Sequence, residues 1–293
     1  MFAARRTLAA SVFVLIAAGA ATVPARGDDA KPADAKPADA KPAENKPAEN
    51  KPAENKPVPV IGTTPTSKLT ISTDAGTFGC REQAAQAFLI RGNWFPHTTD
   101  ADKLKEARKL FEESLKYRTE KYGYFEGFGS PKSNPHPPKF YAKSMTFMGM
   151  SVQVNEKIIP ALKCVEAALK ASPAGNEYKP RAMGGIRFKN TYRGMEISNH
   201  VYGIAIDIEP DRNSCCGCVA PWPDHPLCKA KNKTVWERMA MPKSWVDTFE
   251  RFGFYWLGHD VLQDTMHFEF LGDPDKVTEP AGPGAASTAV ATP

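Results

Sequence analysis

The sequence predicts an α+β domain in which a small antiparallel sheet is flanked by helices. Three stretches, near residues 100–122, 155–169 and 242–252, repeat apolar residues at helical spacing. Two short stretches, 203–208 and 266–270, alternate apolar and polar side chains as strands do. Helices and strands do not alternate along the chain, which argues against a parallel βαβ sheet. Of the 293 residues 26 are proline, and eight of these fall between Pro24 and Pro59, where large apolar side chains are nearly absent. Setting aside that stretch and both ends leaves residues 61–272. A block of that length makes one ordinary domain, able to bury roughly 70% of its unfolded surface.

Residues 1–25 read as a signal peptide. Arg5 and Arg6 give a positive start, Leu8 to Ala21 is largely apolar, and Val23-Pro24-Ala25 offers a small-residue cleavage site. The apolar run is shorter than the ~20 residues of a spanning helix, so no stable membrane span is expected. The stretch has no cysteine to carry a lipid, and the arginine pair fits either a twin-arginine or an ordinary export signal. Residues 26–60 form a linker: KPADA twice from Lys31, KPAEN three times from Lys41, then Lys56-Pro57-Val58-Pro59-Val60. A proline at every fifth position prevents continuous helix, and a segment so poor in apolar groups cannot offset its ordering entropy. As polyproline II, thirty such residues reach on the order of 90 Å at about 3.1 Å each. The linker reads either as a spacer or as a neutral low-complexity insertion.

Within the folded domain, assigned to residues 61–275, Thr99 or Asp100 caps the first helix and Gly123 stops it. Leu104, Ala107, Leu110, Phe111 and Leu115 form its expected core face. A Gly-, Pro- and aromatic-rich loop follows over 124–141. The second helix follows Asn155 and uses Ile158, Ile159, Leu162, Val165 and Leu169; Pro160 is tolerable only near its first turn. The third starts at Pro242 and buries Trp245, Val246, Phe249 and Phe252 before Gly253. In the strand at 203–208 the isoleucines share one face, opposite Gly203, Ala205 and Asp207; in that at 266–270, His267 and Glu269 lie opposite the apolar residues. Residues 276–293 are small and polar and are expected to form a disordered tail.

Six cysteines occur: Cys80, Cys164, Cys215, Cys216, Cys218 and Cys228. An even count in an exported chain favours disulfides. The rival is a zinc knuckle from Cys215, Cys218, His225 and Cys228, whose first pair has C-x-x-C spacing.

Chemistry concentrates in residues 192–207 and 264–269. They supply His200, Asp207 seven residues later, and the distant His267 preceded at three residues by Asp264. Two imidazoles and one carboxylate suit a catalytic Zn²⁺, leaving a fourth position for water or substrate. Asp264 is the candidate base, and Arg193 the candidate positive group beside a scissile carbonyl. A lone histidine or strand aspartate is more often structural; here both strands offer ligands on the face opposite their core side chains.

The pattern Ser198-x-His200-x-x-Gly203-x-Ala205-x-Asp207, with Asp264-x-x-His267-Phe268-Glu269, resembles the zinc D-alanyl-D-alanine carboxypeptidases related to the vancomycin-resistance D,D-carboxypeptidase. These are grouped with lysostaphin-type enzymes and the hedgehog signalling domain. The resemblance spans roughly 147–270, including Asn155 to Leu162, Arg193-Gly194 and Phe249 to Trp256. It implies zinc held by His200, Asp207 and His267, and Asp264 as general base. Arg193 would polarise the substrate carbonyl or hold a substrate carboxylate, and Ser198 would contact substrate or orient His200. Glu269 would either hydrogen-bond a ligand histidine or be an ordinary strand-surface glutamate. Relatives carry paired glycines and a later tryptophan where this chain has Leu257-Gly258-His259-Asp260, and residues 78–141 have no counterpart. His259 would then line the cleft or sit in an exposed loop.

The implied function is an exported zinc metallopeptidase of peptidoglycan stem peptides, a D,D- or L,D-carboxypeptidase, in the periplasm or cell envelope or secreted. A non-catalytic zinc-containing wall-binding or signalling domain is the alternative. A monomer is expected. The block 61–272 carries 28 Lys+Arg and 23 Asp+Glu without a concentrated basic run, which argues against a nucleic-acid partner. No Gly-x-Ser-x-Gly occurs, so a serine hydrolase is a distant reading.

Overall fold

The computed structural model describes residues 69–94, 98–192, 196–230 and 232–281. The expected signal peptide, the linker, Arg193 and most of the tail lie outside the described residues. The fold is α+β. Its strands are β1 (Thr70–Thr73), β2 (Gly76–Cys80), β3 (Ala142–Phe147), β4 (Met150–Asn155), β5 (Met183–Gly184), β6 (Ala205–Ile208), β7 (Phe254–Trp256), β8 (His267–Phe270) and β9 (Thr278–Pro280). Its helices are α1 (Ala101–Tyr122), α2 (Ile159–Lys170), α3 (Ala174–Glu177), α4 (Asn199–Tyr202), α5 (Pro226–Lys229) and α6 (Lys243–Arg251). Among the described residues the strands form three antiparallel groups, in the orders β1-β2-β9, β3-β4 and β5-β6-β8-β7. No described helix is long and apolar enough to cross a membrane.

Local chemistry sets the helix ends. The Asp100 carboxylate accepts from the backbone N–H groups of Asp102 and Lys103, both at 3.0 Å, and Gly123 closes α1 with a φ of 111°. Asn155 accepts from Lys157 N before a single 3₁₀ turn, and Pro160 falls in the first turn of α2, where its missing N–H costs nothing. Pro242 caps α6, whose Trp245, Val246 and Phe249 are buried. The α1 face differs from expectation. Leu104 is 46% exposed, and the fully buried residues are Ala107, Ser114, Arg118, Thr119 and Tyr122. The helix turns Arg118 toward Asn199 and the rings of Trp94 and Tyr202, so its buried stripe is partly polar and apolar periodicity alone misplaces it.

The β1–β2 and β3–β4 hairpins carry weak apolar contrast and were not expected. Met148 and Gly149 close the second with φ of 48° and 83°, the double left-handed turn that a two-residue hairpin needs. The four-stranded sheet packs its apolar face on α6: Phe249 stacks on Phe268 with ring centroids 4.3 Å apart, and Ile204, Ile206, Ile208, Phe254 and Phe270 join the same core. Each such buried side chain contributes roughly 1.5–3 kcal/mol. Gly203 ends α4 rather than starting a strand, with a φ of 70°; a Cβ there would lie 2.8 Å from Asn155 N, which donates to the Gly203 carbonyl.

All six cysteines are bridged, as Cys80–Cys164, Cys215–Cys218 and Cys216–Cys228. Bridged sulfurs offer no thiolate, so the zinc-knuckle set does not form; His225 instead caps α5, accepting from Leu227 N. At the C-terminal end, Val277 is buried and β9 pairs with β2, so ordered pairing runs past the boundary expected at residue 275.

Candidate metal centre

His200 lies on the single turn of α4. The Ser198 hydroxyl caps that turn, accepting from His200 N at 3.4 Å, and Ser198 is itself buried. The other two members of the cluster are paired by the sheet, since Asp207 on β6 stands directly opposite His267 on β8. Three atoms converge. His200 Nε2 is 3.1 Å from His267 Nδ1 and 3.1 Å from Asp207 Oδ1, and His267 Nδ1 is 2.8 Å from Asp207 Oδ1. All three residues are at most 5% exposed.

The outer ring nitrogens assign the tautomers. His200 Nδ1 is 2.7 Å from the Gly185 carbonyl, an acceptor only, so it carries the proton and Nε2 turns a lone pair inward. His267 Nε2 is 3.0 Å from Glu269 Oε1, so it donates outward and leaves Nδ1 as the inward lone pair. Two nitrogen lone pairs and a carboxylate oxygen pointing at one another repel unless a cation sits among them. Ligands about 2.0 Å from a tetrahedral zinc are themselves about 3.3 Å apart, close to the spacing here. The donor set fits a divalent ion, and Gly185 and Glu269 are the outer partners that such histidines need.

Without a cation, a proton takes that role. Burial opposes a charged His267, but hydrogen bonds and charge from Asp207 and Glu269 raise it well above the ordinary imidazole value. Burial also disfavours ionised Asp207, yet the two imidazoles hold its carboxyl well below the usual range. His200 is lowered, chiefly by burial. A divalent ion must therefore displace the His267 proton. Titration calorimetry of metal-free protein at pH 7 should show release of about one proton per ion, seen as heats that vary with buffer, and affinity that falls as pH falls. Heats independent of buffer would show that His267 is already neutral.

Asp264 lies between β7 and β8 and is buried, and its Oδ1 has no hydrogen-bond partner. Burial, reinforced by the negative charge of Asp207, pushes its carboxyl up to about 7, against the opposing pull of His267 and Arg187. Its segment is held by an antiparallel bridge to Cys215, and the Cys215 and Cys218 sulfurs lie within 4.8 Å of its carboxylate. Glu269, one of the two readings left open by the sequence, is buried against His267. His259 is instead on the surface, 44% exposed, 3.0 Å from Glu250 Oε1.

Arg187 was not anticipated. Its guanidinium donates to Asp207 Oδ2, the oxygen facing away from the cluster, and its backbone N donates to the His200 carbonyl at 2.9 Å. No spacing rule links Arg187 to Asp207, 20 residues away in sequence. Arg91, from the segment before α1, donates to Glu196 and to Asp260 at 3.2 Å, joining the loop before α4 to the loop before Asp264.

Residues 192–270 match the family model described as D-alanyl-D-alanine carboxypeptidase. The match covers less than half of the chain but contains His200, Asp207, Asp264, His267 and Glu269. No curated protein and no solved structure matches the chain.

Proposed function

We propose that the chain is an exported zinc peptidase that removes D-alanine from peptidoglycan stem peptides, a reading supported by the match of residues 192–270 to the D-alanyl-D-alanine carboxypeptidase family model. The observation that carries this reading is the convergence of three outward-braced donor atoms, with Asp264 tied to the cluster through its carbonyl, which accepts from His267 N at 3.4 Å, and carrying a buried Oδ1 that has no partner. A structural metal site needs no such carboxylate.

His200, Asp207 and His267 would hold the ion. Bound zinc supplies Lewis acidity, polarising the scissile carbonyl and acidifying the attacking water. Asp264 Oδ1 takes a proton from that water and returns it to the leaving amine, a transfer suited to a group poised near neutrality. Ser198 fixes the turn that aims His200, and Arg187 holds the outer oxygen of Asp207 so that Oδ1 faces inward. Arg193 is proposed to polarise the carbonyl or to hold the substrate carboxylate. Three disulfides support an oxidising destination, consistent with the proposed signal at residues 1–25 and the linker at 26–60.

Muropeptides digested with the purified protein and separated by mass should lose one terminal alanine, and a chelator should stop that loss. Unchanged peptide masses with zinc bound would instead favour the non-catalytic wall-binding or signalling domain.

A further inference from the structure

We propose that Arg91 is a positioning residue for the reaction, clamping the segment that leads to His200 against the turn that ends at Asp264 and so fixing the base relative to the ion. This rests on the peptidase reading above. Arg91 lies outside the 192–270 match, while both carboxylates it joins lie inside it.

All three guanidinium nitrogens of Arg91 are committed. Nε and Nη2 donate to the two carboxylate oxygens of Glu196, the second at 3.3 Å, and Nη1 donates to Asp260 Oδ1 at 3.2 Å. Side-chain exposure is 18% for Arg91, 16% for Glu196 and 3% for Asp260, so the pairs are shielded from the water that weakens exposed ones. A planar fork held by both oxygens of one carboxylate has a fixed orientation. Its remaining nitrogen then dictates where Asp260 stands.

Hydrogen bonds carry the clamp into the site at both ends. Asp260 Oδ1 also accepts from Leu262 N at 3.0 Å, the Asp260 carbonyl accepts from Gln263 N at 2.9 Å, and the backbone N–H groups of Asp260 and Asp264 both donate to the Leu257 carbonyl. The turn 257–264 is thus one bonded unit that follows Asp260, and Asp264 is its last residue. At the other end, the Asn190 side chain donates to the Glu196 carbonyl at 2.8 Å and accepts from Ser198 N at 3.1 Å, and Ser198 caps the turn of His200. The segment bearing Arg91 is itself anchored. Gln86 N donates to the Leu271 carbonyl at 2.9 Å, and the Gln86 and Gln83 side chains donate to the carbonyls of Gly272 and Asp273, just beyond the β8 strand of His267. Removing the guanidinium leaves two carboxylates facing one another without a cation, one of them buried, and their repulsion drives the two segments apart.

The test measures kcat and KM for alanine release from muropeptides by the zinc-loaded full chain, and zinc affinity against a calibrated chelator. The variants are Arg91→Met, Arg91→Lys, Asp260→Asn and Arg91→Met/Asp260→Asn. Arg91→Met should lower kcat roughly 10- to 100-fold, the scale of a misplacement of about 1 Å, with zinc affinity at the wild-type level and KM changed less than kcat. Arg91→Lys keeps the charge but not the fork, so it should recover little. Because both residues act through one clamp, the double variant should have a kcat no lower than Arg91→Met alone. A tie that served stability only would lower the denaturation midpoint and leave kcat per folded chain unchanged. A folded Arg91→Met chain with wild-type kcat, a loss confined to KM, full recovery by Arg91→Lys, or losses that multiply in the double variant overturns the proposal. Should Arg91→Met fail to fold, Arg91→Lys and Asp260→Asn decide by the same split between kcat and zinc affinity. A zinc-loaded wild type that releases no alanine sinks the peptidase reading together with this role, whereas an active wild type matched by Arg91→Met sinks this role alone.

Discussion

Asp264→Asn should keep its zinc and lose hydrolysis, with kcat down roughly 10²–10⁴-fold, the range for removing a general base. Asparagine is nearly isosteric, and Asp264 is not among the three converging donors, so metal content should stay at wild-type level. Release of alanine at the wild-type rate would show that another group takes the proton. The same variant carries a stability signature of opposite sign. In the metal-free protein the Asp264 carboxyl is pushed up to about 7, whereas an unfolded aspartate titrates near ~3.9. Between those values the folded chain holds a proton that the unfolded chain has lost, so stability falls as pH rises from about 4 to about 7. Above 7 the loss is complete. Asp264→Asn removes it, so metal-free variant and wild type should unfold alike near pH 4, while at pH 8 the variant should be more stable by a few kcal/mol. Chemical denaturation at the two pH values measures this, and a wild type at least as stable at pH 8 would contradict the raised value. A bound divalent cation replaces the single positive charge of the His267 proton with a larger one and so lowers the carboxyl, and the acid limb of kcat/KM should fall below pH 7.

Replacing Cys80 and Cys164 by alanine should cost about 4–5 kcal/mol of stability, the chain-entropy value for a bridge closing a long loop. The two cysteines are 84 residues apart in sequence, both fully buried, and join β2 to α2. The bridge therefore removes much freedom from the unfolded chain. Cys215–Cys218 spans three residues and Cys216–Cys228 twelve, so their loss should cost less by this mechanism. Denaturant midpoints of the three double-alanine variants give the ranking. A loss below about 1 kcal/mol for the Cys80–Cys164 pair would mean that this bridge does not constrain the unfolded chain.

The parts of the fold visible in the sequence were those with local causes. Asp100, Pro160, Pro242 and Gly123 mark helix ends through hydrogen bonding or φ restriction at the residue itself. The alternation in 203–208 and 266–270 exposed β6 and β8, because one face packs on aromatic rings while the other carries ligands. The remaining strands depend on partners. β3 buries only Phe147, and the Met148-Gly149 turn lacks the Asn-Gly or Asp-Gly signature of its type. The polar stripe of α1 became intelligible only with Asn199, Trp94 and Tyr202 around Arg118. The site divides the same way. His200, Asp207 and His267 are recognisable because a metal site demands few residue types, and each strand carries its candidate ligand on the face opposite its core side chains. Arg187 and Arg91 act across gaps of 20 and 105 residues, which only the folded chain closes.

The order β1-β2-β9 has a mechanical consequence. β1 lies on one edge and β9 on the other, with β2 between them, so both outermost described segments load the same strand. Tension arriving from residues before Leu69 would draw on the β1–β2 hydrogen bonds, which run from Thr70 opposite Gly79 to Thr73 opposite Gly76. β2 ends at Cys80, covalently fastened to α2. That covalent fastening acts as a mechanical stop, so a pull on the leading end can detach β1 while the four-stranded sheet holding the histidines bears none of it.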